Sequence, residues 1–410
     1  MVGQNYRIIL ANVPLAWRLL KILHKHKLRR TFTMYKYLIF SVLFYFAFAK
    51  AGTAQTAEAK QYKVQTVAFY NLENLYDTED DTTINDEASP MMEMDPGIRE
   101  EIYQKKLANM ARVIRKIGAE KSQSAPTILG VCEIENRKVL EDLVNHPLLL
   151  EYDYGIEHFN SPDRRGIDTG FLYKKREFKV LNSTHKELLI YDPVDGDRIY
   201  TRDPIVVTGE LNGDKMTFIV NHWPSRSGGE QKSRSKRNAA AALNKTIIDS
   251  LHSIDSMSKI FVMGDLNDDP TNESVKDILN AQKDREDVSS QMIYNPYMQM
   301  HKDGYSTLFY RDAGNVFDQI MFTYPMLTEA NQTGYQYWQS HIYNPSFMSN
   351  KTGQYKGYPY RSFLGSTFTG GYSDHFPVYV YLVKEITEQD NVNEAIEEAK
   401  ETVNELKTDN

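Results

Sequence analysis

Short apolar segments of strand length recur throughout residues 62–383 and are interrupted, at irregular intervals, by amphipathic helical segments. The strand-like segments are Val64–Tyr70, Thr127–Ile134, Gly170–Tyr173, Met216–Val220, Ile260–Met263, Phe317–Phe322 and Val378–Val383. Helical spacing of apolar residues occurs in Glu101–Ile117, Ser235–Ser250 and Ser274–Asn280. Because no regular βαβ repeat is present, we expect one α/β domain in which a mixed β-sheet sandwich carries its helices on the outside.

The segment before this domain contains, in sequence, the features of an export signal. We interpret residues 1–33 as a non-native upstream extension, with the true start at Met34. Residues 34–55 then follow the pattern of a signal peptide: Lys36, the apolar run Leu38–Ala49 and a group of small residues. The run is short for a membrane span, although an uncleaved anchor stays an alternative. We therefore expect an exported protein, periplasmic or secreted, without a stable membrane anchor.

Charge is distributed unevenly along the chain. The formal net charge is −7, yet the first 50 residues hold nine Lys or Arg and no Asp or Glu, so the remainder is strongly acidic. Residues 385–410 form an acidic tail that we expect to be helical or disordered. This balance argues against a protein coated uniformly by nucleic acid, and any polyanion must be bound at a local basic cleft. The single cysteine, Cys132, excludes an intramolecular disulfide, and we expect a monomer.

Polar side chains stand at the ends of the apolar strands, where a rigid frame can place them in a cleft. They are Asn71 and Glu73, Glu133, Asp168, Asn221 and His222, Asp265 and Asn267, Asp318, and Asp374 with His375. Each motif alone has an ordinary structural explanation. Together they fit hydrolysis of a phosphate ester, which needs a cation, a base that activates water, and donors for the transition state. Glu73, Glu133 and Asp374 can supply the carboxylates that Mg²⁺ prefers, and two histidines oriented by acids can transfer protons.

This ordered set resembles the endonuclease/exonuclease/phosphatase superfamily, which includes deoxyribonuclease-I-like enzymes, over about residues 62–383. The resemblance implies that residues 62–383 are a catalytic domain with an α/β fold, a four-layered sandwich of two packed mixed β-sheets flanked by helices. It also implies a divalent cofactor, Mg²⁺ or alternatively Mn²⁺. Asn71-Leu-Glu73 is closer to exonuclease-III-like members, whereas His222 is closer to the deoxyribonuclease-I and sphingomyelinase branches. The substrate class therefore does not follow from the resemblance.

The same resemblance implies a role for each position. Glu133 becomes the principal metal ligand, with Glu73 and Asp374 beside it and Asn71 near metal and substrate. Asp265 orients or activates water, and Asn267 binds the phosphate. His375 acts with Asp318, and His222 is the second imidazole, which Asp168 can orient. Both histidines stay open to either role, proton transfer or stabilisation of the transition state.

Other segments bear on the substrate and have simpler alternatives. Asn221 and Arg226 are predicted to contact it, since Arg226 lies in a basic, glycine-containing loop after His222 where a guanidinium can clamp phosphate. The alternative for that loop is a solvated run of charge. Residues 324–372 are expected to be a loop insertion rich in Tyr, whose aromatic rings either stack on bases or pin the loop. The pair Lys105 and Lys106 is expected to form a solvated helix face.

Three functions remain in consideration. The leading hypothesis is an exported, metal-dependent phosphodiester hydrolase, a nuclease, that acts on nucleic acid or another phosphoester. The second is a phosphomonoesterase or a sphingomyelinase-like phospholipase on the same fold. The third, a non-catalytic exported binding protein, is disfavoured because none of Glu133, Asp265, Asn267 and His375 is missing.

Overall fold

Two mixed β-sheets form the centre of the computed structural model, which describes residues 60–328, 334–387 and 390. Sheet 1 contains, in spatial order, β16 (Gln336–Ile342), β19 (Val378–Glu385), β1 (Tyr62–Leu75), β2 (Ile128–Ile134), β4 (Asp168–Lys174) and β3 (Tyr154–His158). Sheet 2 contains β11 (Ala281–Gln282), β12 (Ile293–Tyr294), β15 (Asp318–Thr323), β10 (Lys259–Asp265), β9 (Asp214–His222), β8 (Ile205–Leu211) and β5 (Phe178–His185). The pairs β1–β2, β9–β10 and β11–β12 are parallel, and the other pairs within these sheets are antiparallel.

The remaining elements are helices, short hairpins and helical turns. The α-helices are α1 (Pro96–Ile114), α2 (Ala119–Ser122), α3 (Arg137–Val144), α4 (Glu230–Ile254) and α5 (Tyr297–Lys302). The hairpins are β6–β7 (Ile190–Tyr191 and Arg198–Ile199), β13–β14 (Leu308–Tyr310 and Ala313–Asn315) and β17–β18 (Phe363–Leu364 and Thr367–Phe368). Ser274–Ile278 is a π-helix, and 3₁₀ turns lie at Leu150–Tyr152, Arg285–Asp287, Tyr324–Met326 and Ser346–Met348.

Strand alternation builds four layers. In β1, Val67 and Phe69 point into the core between the sheets, whereas Ala68 and Tyr70 pack outward in the same cluster as Leu107 of α1. Sheet 2 follows the same rule: its inner residues share the core between the sheets, and its outer residues pack against α4. The layers are therefore α1 with α3, sheet 1, sheet 2, and α4. The predicted four-layered sandwich of two mixed sheets is confirmed.

Helix α1 starts earlier and ends earlier than the apolar spacing predicted. The side chain of Asp95 accepts a hydrogen bond from the backbone N–H of Gly97 at 2.8 Å, and Pro96 occupies the first helical position. Because the first turn is mostly exposed, it carries no apolar signal, and the prediction began only at Glu101. Helix α4 likewise extends beyond the predicted Ser235–Ser250 at both ends.

The predicted loop insertion at residues 324–372 is wrong in part, because it contains strand β16. This strand pairs antiparallel with β19, and the ring of Tyr337 lies in the core between the sheets. The pairing shifts between Tyr337 and Gln339, so that Trp338 and Gln339 are exposed in succession. Such a bulge breaks the two-residue alternation by which strands are recognised. The bulge is therefore the reason that the sequence pattern did not predict β16.

The flanking segments stay predictions. Residues 1–33, the predicted signal peptide at residues 34–55 and most of the acidic tail at residues 385–410 lie outside the described residues. Within the described ranges, no helix combines the length and the apolar character needed to cross a membrane.

Lys106 of α1 is buried, so the predicted solvated face is correct for Lys105 alone. Lys105 is exposed and pairs with Glu101. Nζ of Lys106 instead donates hydrogen bonds to the carbonyl oxygen of Glu73 at 2.7 Å and to the hydroxyl of Ser362 at 2.8 Å. Burial lowers the pKa of Lys106 to about 8, and the nearby carboxylate of Glu73 acts in the opposite direction. Lys106 thus joins α1 to the end of β1 and to the segment around Ser362.

Replacing this buried cation is expected to destabilise the fold. Lys106→Met leaves the buried carboxylate of Glu73 with less positive charge nearby, and we expect the free energy of unfolding to fall by about 3 kcal/mol. Urea unfolding measures the change. Lys105→Met is the matched control, because loss of an exposed helix pair changes stability by no more than about 0.5 kcal/mol. Equal losses in the two variants would contradict the structural role of Lys106.

Candidate active site

Three polar side chains meet at one end of sheet 2 because of how its strands pair. The parallel strands β9 and β10 end together and pair His222 with Asp265, while β15 begins beside them and pairs Asp318 with Asp265. The alternation that sends Met263 into the core between the sheets sends Asp265 in the same direction. The carboxylate of Asp265 therefore lies between the sheets, flanked by its two neighbours.

Sheet 1 brings Asn71 and Glu133 to the same place from the parallel ends of β1 and β2. Nδ2 of Asn71 donates a 3.2 Å hydrogen bond to Oδ2 of Asp265 and so links the two sheets. Glu133 follows the buried Cys132 and has a φ of 58°, at a shift in the pairing of β2 with β4. A bulge of this kind re-aims a side chain beside an active site. The Glu133 carboxylate also accepts a 3.1 Å hydrogen bond from the backbone N–H of Asn74.

Glu133, His222 and Asp265 form a group whose potential ligand atoms all lie within 4.8 Å of one another. Nε2 of His222 is 3.9 Å from Oε1 of Glu133 and 3.8 Å from Oδ2 of Asp265. These separations are longer than hydrogen bonds, and two carboxylates with an imidazole are a donor set that suits a divalent cation. Among the residues that the structure describes, this is the one such group found.

His375 approaches the same carboxylate and is held by Asp318. Nδ1 of His375 is 2.7 Å from Oδ2 of Asp318, and its Nε2 is 3.9 Å from Oδ2 of Asp265. The backbone N–H of His375 donates to Ser373 Oγ at 3.1 Å, and that hydroxyl donates to the carbonyl oxygen of Asn71 at 2.8 Å. The carboxylate of Asp318 favours a proton on Nδ1 of His375. The other ring nitrogen, Nε2, is the atom that faces Asp265.

The surroundings shift the pKa values of the two imidazoles in opposite directions. Burial lowers the pKa of His222 well below its ordinary value, and the positive charge of Arg202 lowers it further, which favours the neutral imidazole. Burial also acts to lower the pKa of His375, but the carboxylates of Asp318 and Asp265 outweigh it and hold that pKa well above the ordinary value. Burial raises the pKa of Asp265 to about 7, and a cation beside it would favour the ionised form.

Glu73 and Asp374, both predicted as metal ligands, are not part of the group around Asp265. The carboxylate of Glu73 accepts hydrogen bonds from Nε of Arg361 at 3.2 Å and from the backbone N–H groups of Ser362 at 2.6 Å and Phe363 at 3.3 Å. Arg361 also donates to Asp374 at 3.2 Å. Burial, followed by the charge of Asp374, raises the pKa of Glu73 to about 7. Arg361 thus occupies both carboxylates, and their metal role stays a prediction.

Asp168 does not contact His222, which it was expected to orient. Its Oδ2 is 3.0 Å from Nε2 of His158, and its Oδ1 accepts a 2.8 Å hydrogen bond from the backbone N–H of Ser161. Asp168 lies on the face of β4 opposite to Phe171, whose ring points between the sheets. Nδ1 of His222 has no hydrogen-bond partner among the described residues. Asp168 therefore holds His158, and its catalytic role stays a prediction.

Asn221, expected to contact the substrate, points away from the group. Its side chain forms hydrogen bonds of 3.0 and 2.8 Å with Asn244 of α4 and accepts one of 3.1 Å from Nε1 of Trp223. Alternation along β9 gives the reason, because Asn221 shares its face with Ile219, which packs in the cluster under α4. Asn221 thus fastens α4 behind the strand that carries His222.

Arg226 lies beside Asn267, and protein acceptors occupy much of its guanidinium. Its Nε donates to the carbonyl oxygen of Asn267 at 2.9 Å, and its Nη2 donates to Asp268 at 3.2 Å and Asp269 at 3.3 Å. Asn267 has a φ of 50°, and its amide donates to the carbonyl oxygen of Trp223 at 3.0 Å. Arg226 therefore holds the loop that carries Asn267. The predicted phosphate contacts of these two residues stay predictions.

Sequence reasoning missed two arginines near the site. Arg361 bridges Glu73 and Asp374 as described, and Arg202 is buried with hydrogen bonds to Asp163 at 3.0 Å and to the carbonyl oxygen of Trp223 at 2.6 Å. No sequence pattern marks either of them. Glu73 lies 288 residues from Arg361 and Asp163 lies 39 residues from Arg202, so the tertiary fold brings these pairs together.

A family model matches most of the chain: residues 66–384 match the Endonuclease/Exonuclease/phosphatase family. Among solved structures, the chain is similar to an endonuclease/exonuclease/phosphatase family protein from Bacteroides thetaiotaomicron, with 16% identity, 80% of this chain and 97% of that chain covered, and a TM-score of 0.46. The human Nocturnin catalytic domain with bound sulfate is 16% identical, with 79% of this chain and 96% of that chain covered and a TM-score of 0.44. The mannosyl-6-phosphatase of Bacteroides thetaiotaomicron is 16% identical, with 78% of this chain and 99% of that chain covered and a TM-score of 0.45.

No curated protein matches the sequence. The family match nevertheless covers more than three quarters of the chain, and it includes every strand-end residue named above. On that basis, the chain belongs to the endonuclease/exonuclease/phosphatase family.

Proposed function

We propose that this protein is an exported, divalent-metal-dependent phosphodiesterase and that its substrate is nucleic acid. One observation carries the proposal: the carboxylates of Glu133 and Asp265 and the imidazole of His222 converge within 4.8 Å. The protonated His375 lies against the same group. Export rests on the signal-peptide pattern of residues 34–55.

The donor set of the group suits a hard cation. We assign Glu133, whose side chain is partly accessible, as the principal ligand of Mg²⁺, with Mn²⁺ as an alternative cation, and Asp265 as the carboxylate beside it that acts on water. When bound, such a cation neutralises charge on the non-bridging oxygens of the phosphate and promotes ionisation of water. A cation would also offset the repulsion between the two carboxylates, of which that of Asp265 is buried.

The chain's own residues supply the proton transfers. Asp265 is placed to orient a water molecule and to take its proton, because Asn71 fixes one of its oxygens and both imidazoles lie about 4 Å away. His375, kept protonated by Asp318, directs Nε2–H toward the same point and stabilises negative charge in the transition state. The neutral form of His222 can donate a hydrogen bond from one ring nitrogen to a phosphate oxygen.

Two exposed basic residues at the start of α4 support nucleic acid as the substrate. Lys232 and Arg234, on the first turns of α4, are exposed and form no ion pair among the described residues. They follow directly on the loop that contains Arg226, and they offer positive charge on an otherwise acidic protein.

A panel of substrates tests this choice. The purified protein with Mg²⁺ is incubated with plasmid DNA, a single-stranded oligonucleotide, RNA, sugar phosphates and sphingomyelin. We expect cleavage of nucleic acid that ceases at high salt, because phosphate contacts weaken as salt rises. Turnover of a phosphomonoester or of the lipid, with all nucleic acids intact, would overturn the proposed substrate while keeping phosphoester hydrolysis.

A further inference from the structure

A cleft of about 880 Å³ opens beside Asn267, next to the active-site group. The loop from Ser225 to Glu230 lines it from one segment of the chain, and the hairpin β13–β14 lines it from another. Phe317, the residue before Asp318, also lines it. The cleft therefore adjoins the proposed catalytic residues through Asn267 and Phe317. Its volume is in the range of sites for small ligands.

The hairpin presents an unusual turn at the edge of this cleft. Its two turn residues, Arg311 and Asp312, have φ values of 50° and 64°. A two-residue turn with both φ values positive favours Asn and Gly, and strain of this kind at a bulky residue points to a function. Arg311 forms no hydrogen bond or ion pair among the described residues, and its guanidinium lies 5.2 Å from the ring centre of Tyr310. Tyr310 is itself 63% exposed.

Contacts with Tyr358 hold the backbone of the hairpin in place beneath the side chains of Tyr310 and Arg311. The Tyr358 hydroxyl donates to Asp312 at 2.8 Å, and the ring of Tyr358 stacks on Phe309 at 4.1 Å. The hairpin therefore holds an exposed ring and an uncompensated guanidinium at the cleft. Glu230, the acid that lines the cleft, is 3.5 Å from Arg226, which offsets its charge.

We propose that this cleft binds the nucleotide adjacent to the scissile phosphate, with Tyr310 stacked on its base and Arg311 bound to its outer phosphate. The assignment rests on the proposed function and narrows it to single-stranded nucleic acid. Aromatic rings bind bases of any sequence by stacking, and a free guanidinium binds phosphate through paired donors. A sugar monophosphate offers neither a base for Tyr310 nor a second phosphate for Arg311.

The test uses variants that keep the hairpin. Arg311→Asn removes the guanidinium while placing a residue that accepts positive φ, so the turn is maintained or improved. We expect kcat/KM on a single-stranded oligonucleotide to fall on the order of ten-fold, and the slope of its logarithm against log salt to weaken by about 0.7. Tyr310→Ala lowers the same kcat/KM to a similar extent, and Tyr310→Phe retains it. In Arg311→Asn, the loss on bis-p-nitrophenyl phosphate, which offers no second phosphate to Arg311, is smaller than the loss on the oligonucleotide.

Two results would overturn the assignment, and they are distinguishable. If Arg311→Asn and Tyr310→Ala cleave the oligonucleotide with wild-type kcat/KM and salt dependence, the cleft is not a nucleotide subsite, while the proposed nuclease function stands. If the wild-type protein hydrolyses bis-p-nitrophenyl phosphate but cleaves no oligonucleotide, the proposed substrate and the cleft assignment both fail.

Discussion

Replacing His375 with alanine is expected to lower kcat for phosphodiester hydrolysis by about 10²–10⁴-fold. This imidazole is held protonated by Asp318 and directs its second nitrogen toward Asp265, where the reacting water and phosphate are proposed to lie. The measurement is single-turnover and steady-state kinetics on bis-p-nitrophenyl phosphate, because that small diester does not depend on contacts outside the active site. KM should change much less than kcat, since the lost interaction is made chiefly in the transition state.

Two further variants make the His375 result specific. Asp318→Asn retains the imidazole but removes the negative charge that keeps it protonated, so we expect a large loss of kcat and little additional loss in the double variant. His341→Ala removes an imidazole that stacks on Tyr379 elsewhere in sheet 1, and it should leave kcat nearly unchanged. Equal losses for the His375 and His341 variants would show that the effect is structural.

Glu133→Gln is expected to weaken binding of Mg²⁺ by at least about 10²-fold and to reduce activity in parallel. Gln keeps an acceptor for the backbone N–H of Asn74, so the bulge in β2 is retained while the negative charge is lost. Isothermal titration with Mg²⁺ or Mn²⁺ measures the affinity independently of turnover. Raising the cation concentration should recover part of the activity.

Glu135→Gln is the matched control for Glu133. Glu135 lies two residues further along, and its carboxylate accepts a 2.7 Å hydrogen bond from the backbone N–H of Asp77. Burial raises the pKa of Glu135 to about 8, so a neutral side chain is already tolerated there near neutral pH. Loss of metal affinity in the Glu135 variant, or none in the Glu133 variant, would contradict the assignment of the principal ligand.

The centre of the site was predictable because strand geometry determines it. His222, Asp265 and Asp318 end or begin apolar strands, and residues at these positions meet once the strands pair. The irregular alternation of strands with helices predicted a mixed-sheet sandwich with outer helices, whereas the four layers were implied by the resemblance to the family. Asn71 joins them because the parallel strands of sheet 1 end at the same side of the sandwich.

The features that the sequence did not predict depend on which face of a strand a side chain occupies and on contacts between residues far apart in sequence. Asn221 precedes His222, but strand alternation turns it toward α4. A bulge hid β16, and the partner of Glu73, Arg361, lies 288 residues further along the chain. Local periodicity carries no information on such pairs. Lys106 shows the same limit, because its exposed neighbour Lys105 has the same side chain and a different environment.

The most direct test of the account is hydrolysis of a diester by one protein sample, measured with Mg²⁺, after removal of metal with EDTA, and again after Mg²⁺ is restored in excess. We predict that turnover of bis-p-nitrophenyl phosphate is lost with EDTA and returns with Mg²⁺, and that Glu133→Gln shows little turnover at the same Mg²⁺ concentration. Undiminished turnover in EDTA, or wild-type turnover in the Glu133 variant, would contradict the claim that Glu133, His222 and Asp265 form a metal-dependent phosphodiesterase site.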